Sequence, residues 1–106
     1  MRILLATPSA RPALTGNATT VERWSRGLTA RGHAVRVLEL PDTATARDLE
    51  AAIAAFRPEV VHLHHALRAG RFVEEARARA AVVVSFAGTD LAPPDEVARA
   101  IVRRAA

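Results

Sequence analysis

Four short apolar segments, each followed by a stretch with helical spacing, constrain this chain more than any other feature. They are Arg2–Thr7 (R-I-L-L-A-T), Ala34–Leu40 (A-V-R-V-L-E-L), Glu59–His64 (E-V-V-H-L-H) and Ala81–Phe86 (A-V-V-V-S-F). Short runs of aliphatic and β-branched residues bounded by Pro, Gly or Asp read as strands. Strands that alternate with helices are joined by right-handed crossovers, which gives a parallel sheet with helices on both faces. The 106 residues suffice for one domain. The expectation is a single α/β, Rossmann-like unit over residues 1–106 with about four strands. Within it the first segment reads as buried on both faces, and the fourth reads as a buried strand as well. Arg36 and Glu39 place the second nearer a sheet edge.

The intervening stretches supply the helices. Asn17 or Thr19 is positioned to cap a first helix ending near Gly27–Arg31, with Val21, Trp24 and Leu28 on one face and Gly32 as its terminator. Leu49, Ile53 and Phe56 recur behind a Thr45/Asp48 capping box, and Pro58 ends that helix. Ala66–Arg79 reads as a third helix with Leu67, Phe72, Val73 and Ala76 on one side. A fourth begins with Pro94 at its first position, carries Asp95 and Glu96 in its first turn and Arg103 and Arg104 in its last, and turns Val97, Ile101 and Val102 inward. The chain stops where another strand would begin. That pattern predicts the N-terminal portion of a longer protein, or a sheet edge covered by a second copy or a partner chain.

Composition removes whole classes of chemistry. There is no cysteine, so disulfides, thiolate catalysis and Cys-ligated metals are excluded. All 15 basic residues are Arg, which excludes a Walker or Schiff-base lysine. The net charge of +4 is spread from Arg2 to Arg104 without a dense run, and only Trp24, Phe56, Phe72 and Phe86 could stack on bases. Such scattering reads as solvated helix faces, and no nucleic-acid partner is expected. No apolar run approaches the roughly 20 residues needed to span a bilayer. Met1-Arg2 leads directly into a strand and then Pro8, unlike a signal peptide. A cytoplasmic protein with no stable membrane insertion is expected.

In open α/β sheets ligands bind at the carboxyl ends of the strands, which places the candidate residues in three loops. Gly16, Asn17 and Thr19 lie at a helix start where free N–H groups can approach a phosphate or a sugar hydroxyl; a plain capped helix explains them equally well. The loop is not G-x-G-x-x-G, so a dinucleotide site is not expected. His64 and His65 end the third strand and suit hydrogen bonding to a substrate, whereas His62 reads as an interlayer residue and His33 as a helix-end residue. With no Cys and few nearby carboxylates, the histidines do not read as a metal site. Gly88, Thr89 and Asp90 can bind a polyol or cap the next helix, and Asp90 can serve as a general base. Ser85 lacks a nucleophile-elbow context. The catalytic residue is not assigned, and no cofactor is expected.

Taken in order, R-I-L-L-A-T-P, G-N-A-T-T-V-E-R-W, L-T-A-R-G-H-A-V-R-V-L, R-P-E-V-V-H-L-H-H-A-L-R-A-G and V-V-V-S-F-A-G-T-D-L resemble glycosyltransferase family 4 and related GT-B enzymes. The likeness runs over nearly the whole chain but covers only the first part of the acceptor-side N-terminal domain. The G-N-x-T-T-x-E-R-W and G-T-D-L pieces are also similar to the subgroup containing selenosugar synthases. The resemblance implies transfer of a sugar from a nucleotide-sugar donor to an acceptor, usually with retention and without an essential metal. It places Gly16 and Asn17 near the donor phosphates or acceptor, His64 and His65 along the cleft, and Gly88, Thr89 and Asp90 near the transferred sugar. Ala87 stands where many relatives carry a polar residue. The donor-binding C-terminal domain lies outside the resemblance, so the chain alone is expected to be inactive. The competing expectation is a stand-alone α/β binding or protein-interaction module without catalysis.

Overall fold

The computed structural model describes residues 1–91 and 95–105. Its strands are β1 (Arg2–Thr7), β2 (Ala34–Glu39), β3 (Val60–His64) and β4 (Ala81–Ser85), all parallel in the order β2-β1-β3-β4. The chain steps outward from β1 to β2, then crosses back over β1 to β3 and continues to β4. Because the crossovers keep one hand, this reversal puts the helices on opposite faces. The helix α1 (Gly16–Ala30) packs Val21, Trp24 and Leu28 on Ile3, Leu5 and Val35. On the other face, α2 (Ala46–Phe56) and α3 (Val73–Arg77) bury Leu49, Ile53, Val73 and Ala76 against Leu4, Ala6, Val61 and Leu63. The period of two along β1 sorts its residues between these cores. Each fully buried Leu contributes about 1.5–3 kcal/mol of transfer free energy. The architecture is a Rossmann-like α/β fold.

Strand β1 is buried from Ile3 to Thr7, as its apolar run requires of an inner strand. Charged β2 lies at one edge. The fourth strand departs from expectation: β4 forms the other edge, and all of its residues are exposed or half-buried, Val83 by 49%. Apolarity measures preference for burial; the crossover order decides which strand has a neighbour on each side.

Helix ends also correct the sequence reading. Thr15, not Asn17 or Thr19, caps α1: its backbone is extended and its hydroxyl accepts from the Ala18 amide at 3.1 Å. Gly16 and Asn17 therefore belong to the first turn. Gly32, at φ +91°, follows the C-terminus of α1 as anticipated. At α2 the Asp48 carboxylate accepts from the Thr45 amide at 2.8 Å, closing the foreseen capping box. The third helix is broken. His65 turns left-handed at φ +76°, and its carbonyl accepts from both Arg68 and Gly70 at 3.1 Å. A 3₁₀ turn over Ala69–Phe72 follows, which leaves only five residues for α3. The last helix, α4 (Glu96–Ala105), is capped by Asp95, whose carboxylate accepts from Ala98 at 2.8 Å. It turns Ala98 and Ala105 inward and leaves Val97 71% exposed, because small side chains let it approach the turn at Gly70. The expected Pro94 start lies outside the described residues. None of the described helices is long and apolar enough to cross a membrane.

Candidate functional site

The strand order reverses between β1 and β3, so the carboxyl ends of these strands frame the crevice where open α/β sheets bind ligands. An open cleft of about 430 Å³ lies there, lined by Gly16, Asn17, Thr20, His64, His65, Ala87 and Gly88. The loop after β1 delivers the N-terminus of α1 to it. The amides of Gly16 and Asn17 have no partner among the described residues, and the helix dipole gives this end a partial positive charge. A Cβ at Gly16 would meet nothing within 4 Å, so the glycine leaves open space that the packing does not require. Gly88 has φ +47°, where an L side chain is strained.

One wall is a hydrogen-bonded chain crossing three elements. His62 and His64 share a face of β3, and the register places His64 beside Ser85 of β4. Ser85 Oγ lies 3.0 Å from His62 Nε2 and 2.8 Å from His64 Nδ1; His64 Nε2 lies 3.0 Å from Asn17 Oδ1. Trp24 of α1 stacks on His62 with ring centroids 5.0 Å apart and meets His64 edge-on at 5.1 Å. Burial and the neighbouring His64 push the His62 pKa down to about 4. His64 is lowered as well, first by burial and then by His65, with Asp90 opposing. Both imidazoles therefore stand neutral at pH 7 and act through hydrogen bonds.

Asp90 forms the floor of the neighbouring loops. Its carboxylate accepts from the amides of Ala66 at 2.7 Å, Leu67 at 2.7 Å and Ala87 at 2.8 Å, and its side chain is fully buried. The loops after β3 and β4 are thus tied by one side chain. His65 Nδ1 lies 3.1 Å from Asp90 Oδ1 and is a buried ring nitrogen with no hydrogen bond among the described residues. The left-handed backbone at φ +76° holds this histidine in a conformation that costs free energy.

Gly16, Asn17, His64, His65 and Gly88 thus come together around the cleft. Asp90 lies beneath it, with its oxygens engaged internally. Thr19 points away, into a shallow depression of about 540 Å³ with Arg11, Glu22, Arg23 and Arg26. That depression is larger, yet it is open surface on the outside of α1 where Glu22 already pairs with Arg11 and Arg26. Thr20, one residue on, takes the cleft-facing position. Thr89 sits in the 3₁₀ turn Gly88–Leu91, and its side chain lies outside the described residues. His33 bonds the amino terminus at 2.9 Å, away from the site. Sequence reasoning missed Ser85, Trp24 and Thr20. The shared face of His62 and His64 was visible, but the register that adds Ser85 was not. No group of three His, Asp or Glu side chains able to hold a metal ion occurs among the described residues.

No protein-family model matches the chain, and no curated protein matches it.

Proposed function

We propose that this chain is the acceptor-side domain of a GT-B, family 4-like glycosyltransferase, forming one wall of a cleft in which a sugar passes from a nucleotide-sugar donor to an acceptor. The observation that carries the reading is the convergence of Gly16, Asn17, His64, His65 and Gly88 on one cleft at the switch point. These are positions to which the sequence resemblance gives sugar and phosphate contacts. Free amides at the start of α1 suit oxygen acceptors of a phosphate or a sugar. Neutral His64 and the Asn17 amide suit hydroxyl groups. Among the described residues the site carries no paired carboxylates, and Asp90 is consumed by three amides, so general-base chemistry is not its task. In such an enzyme the nucleotide is held mainly by a second domain. The 106-residue chain therefore binds the sugar and phosphate weakly and does not turn over.

A second reading, a binding module without catalysis, draws on Ala87, which lines the cleft with only a methyl group, and on the engaged Asp90. Ligand-observed NMR with nucleotide sugars, free sugars and nucleosides tests the proposal. It expects saturable contact to sugar and phosphate, little to the base, and no nucleotide release. Contact through the base alone, or transfer catalysed by the purified chain, overturns it.

A further inference from the structure

We propose that Ser85 is a positioning residue of the cleft: it fixes the tautomer of His64 and thereby turns the hydrogen-bond-donating end of Asn17 toward a ligand. The proposal rests on the cleft being a ligand site, as argued above, but its first test does not require a ligand.

The argument is an accounting of protons. The structure turns Asn17 Oδ1 toward His64 Nε2, 3.0 Å away; an amide oxygen only accepts, so in this orientation Nε2 carries the hydrogen. In a neutral ring Nδ1 is then an acceptor, and the hydroxyl 2.8 Å from it belongs to Ser85, which donates. Ser85 Oγ in turn accepts from His62 Nε2–H at 3.0 Å. The polarity runs one way, from His62 through Ser85 and His64 to Asn17, with every bond satisfied while both rings are neutral. Asn17 spends its oxygen on His64, so the polar group its side chain retains for the cleft is the amide NH₂. With the free amides of Gly16 and Asn17, the cleft then offers donors, which match the oxygen acceptors of a phosphate or a sugar. Removing the Ser85 hydroxyl leaves His64 Nδ1 half-sheltered without a donor. The ring then loses the contact that selects one tautomer: Nε2–H facing the Asn17 oxygen and Nδ1–H with Asn17 flipped to donate to Nε2 both become populated, and the flipped form presents the Asn17 carbonyl to the cleft. A residue of edge strand β4 thus sets the chemical sense of a helix N-terminus on the other side of β3.

The test reads imidazole nitrogens by two-bond ¹⁵N–¹H correlation in the ligand-free chain at neutral pH, for wild type, Ser85→Ala and Ser85→Thr. The expected result is an Nε2–H tautomer for His64 in wild type, loss of that single tautomer in Ser85→Ala and its return in Ser85→Thr. Urea unfolding of each variant checks that the fold survives. An Nδ1–H tautomer in wild type overturns the proposal, as does a Ser85→Ala variant that keeps Nε2–H. Binding of a nucleotide sugar is then expected to weaken about five- to ten-fold in Ser85→Ala, the loss of one hydrogen bond's net contribution, and to recover in Ser85→Thr. If wild type binds no nucleotide sugar, the functional reading fails and the tautomer measurement still decides the role of Ser85.

Discussion

Replacing Asp90 by alanine probes the joint that holds the cleft together. The carboxylate is fully buried and accepts three backbone N–H groups at 2.7–2.8 Å, two from the loop after β3 and one from the loop after β4. A hydrogen bond to a charged acceptor contributes about 1.5–3 kcal/mol, and a buried donor left without a partner costs about 1–3 kcal/mol. Ala66 is fully buried, so its amide stays unsatisfied; Leu67 and Ala87 are half-buried, and water recovers part of their loss. Counted as orphaned donors, with Ala66 at about 1–3 kcal/mol and each of the other two at about half that, the loss is about 2–6 kcal/mol, against the roughly 5–15 kcal/mol of a domain this size. Asp90→Asn should cost less, about 1–2 kcal/mol. Its oxygen can keep the two donors on the Oδ2 side, and its NH₂ would face the Leu67 amide but also His65 Nδ1, 3.1 Å from the present Oδ1. Urea unfolding followed by circular dichroism at pH 7 measures both, with an unchanged m-value as the sign that the unfolded state is the same. An Asp90→Ala loss below about 1 kcal/mol would refute the claim that this carboxylate ties the loops.

Three further outcomes follow from the geometry. Folded His62 has its pKa lowered to about 4 from 6.5, so the unfolded state binds more protons between these values. Stability is full above pH about 6.5 and falls by about 2 kcal/mol as the pH drops toward 4, after allowance for its partly solvated ring, and His62→Gln should flatten that slope in urea titrations. Gly88→Ala, at φ +47° in open space, should destabilise by about 1 kcal/mol through backbone strain alone, measured by thermal unfolding. Gly16→Ala should leave stability unchanged or raise it by up to about 1 kcal/mol while weakening ligand binding, because its methyl enters only cleft space; parallel unfolding and binding curves separate the two effects.

Much of the fold could be read before any coordinates, because local patterns write it. The alternation of strand and helix segments, the inner burial of β1 and the Thr45/Asp48 box all depend on residues close in sequence. What could not be read depends on partners brought in from afar. The run A-V-V-V-S-F has an inner-strand composition, yet the order β2-β1-β3-β4 leaves it at an edge. The Ala-rich stretch after β3 has helical spacing, but the left-handed turn at His65 and the grip of Asp90 on Ala66 and Leu67 override it. The same holds at the cleft. Gly16, Asn17, His64 and Gly88 sit at or just beyond the carboxyl ends of strands, which any parallel sheet would bring together, whereas Ser85 and Trp24 enter through register and helix packing.

The claim on which the account turns is that the crevice between β1 and β3 receives a sugar–phosphate ligand. The direct measurement is a titration of the ¹⁵N-labelled chain with a uridine-diphosphate sugar, following backbone amide shifts. The account predicts saturable shifts centred on Gly16, Asn17, His64, His65 and Gly88. Shifts confined to the Arg11–Arg26 depression outside α1, or none at millimolar ligand, would contradict it.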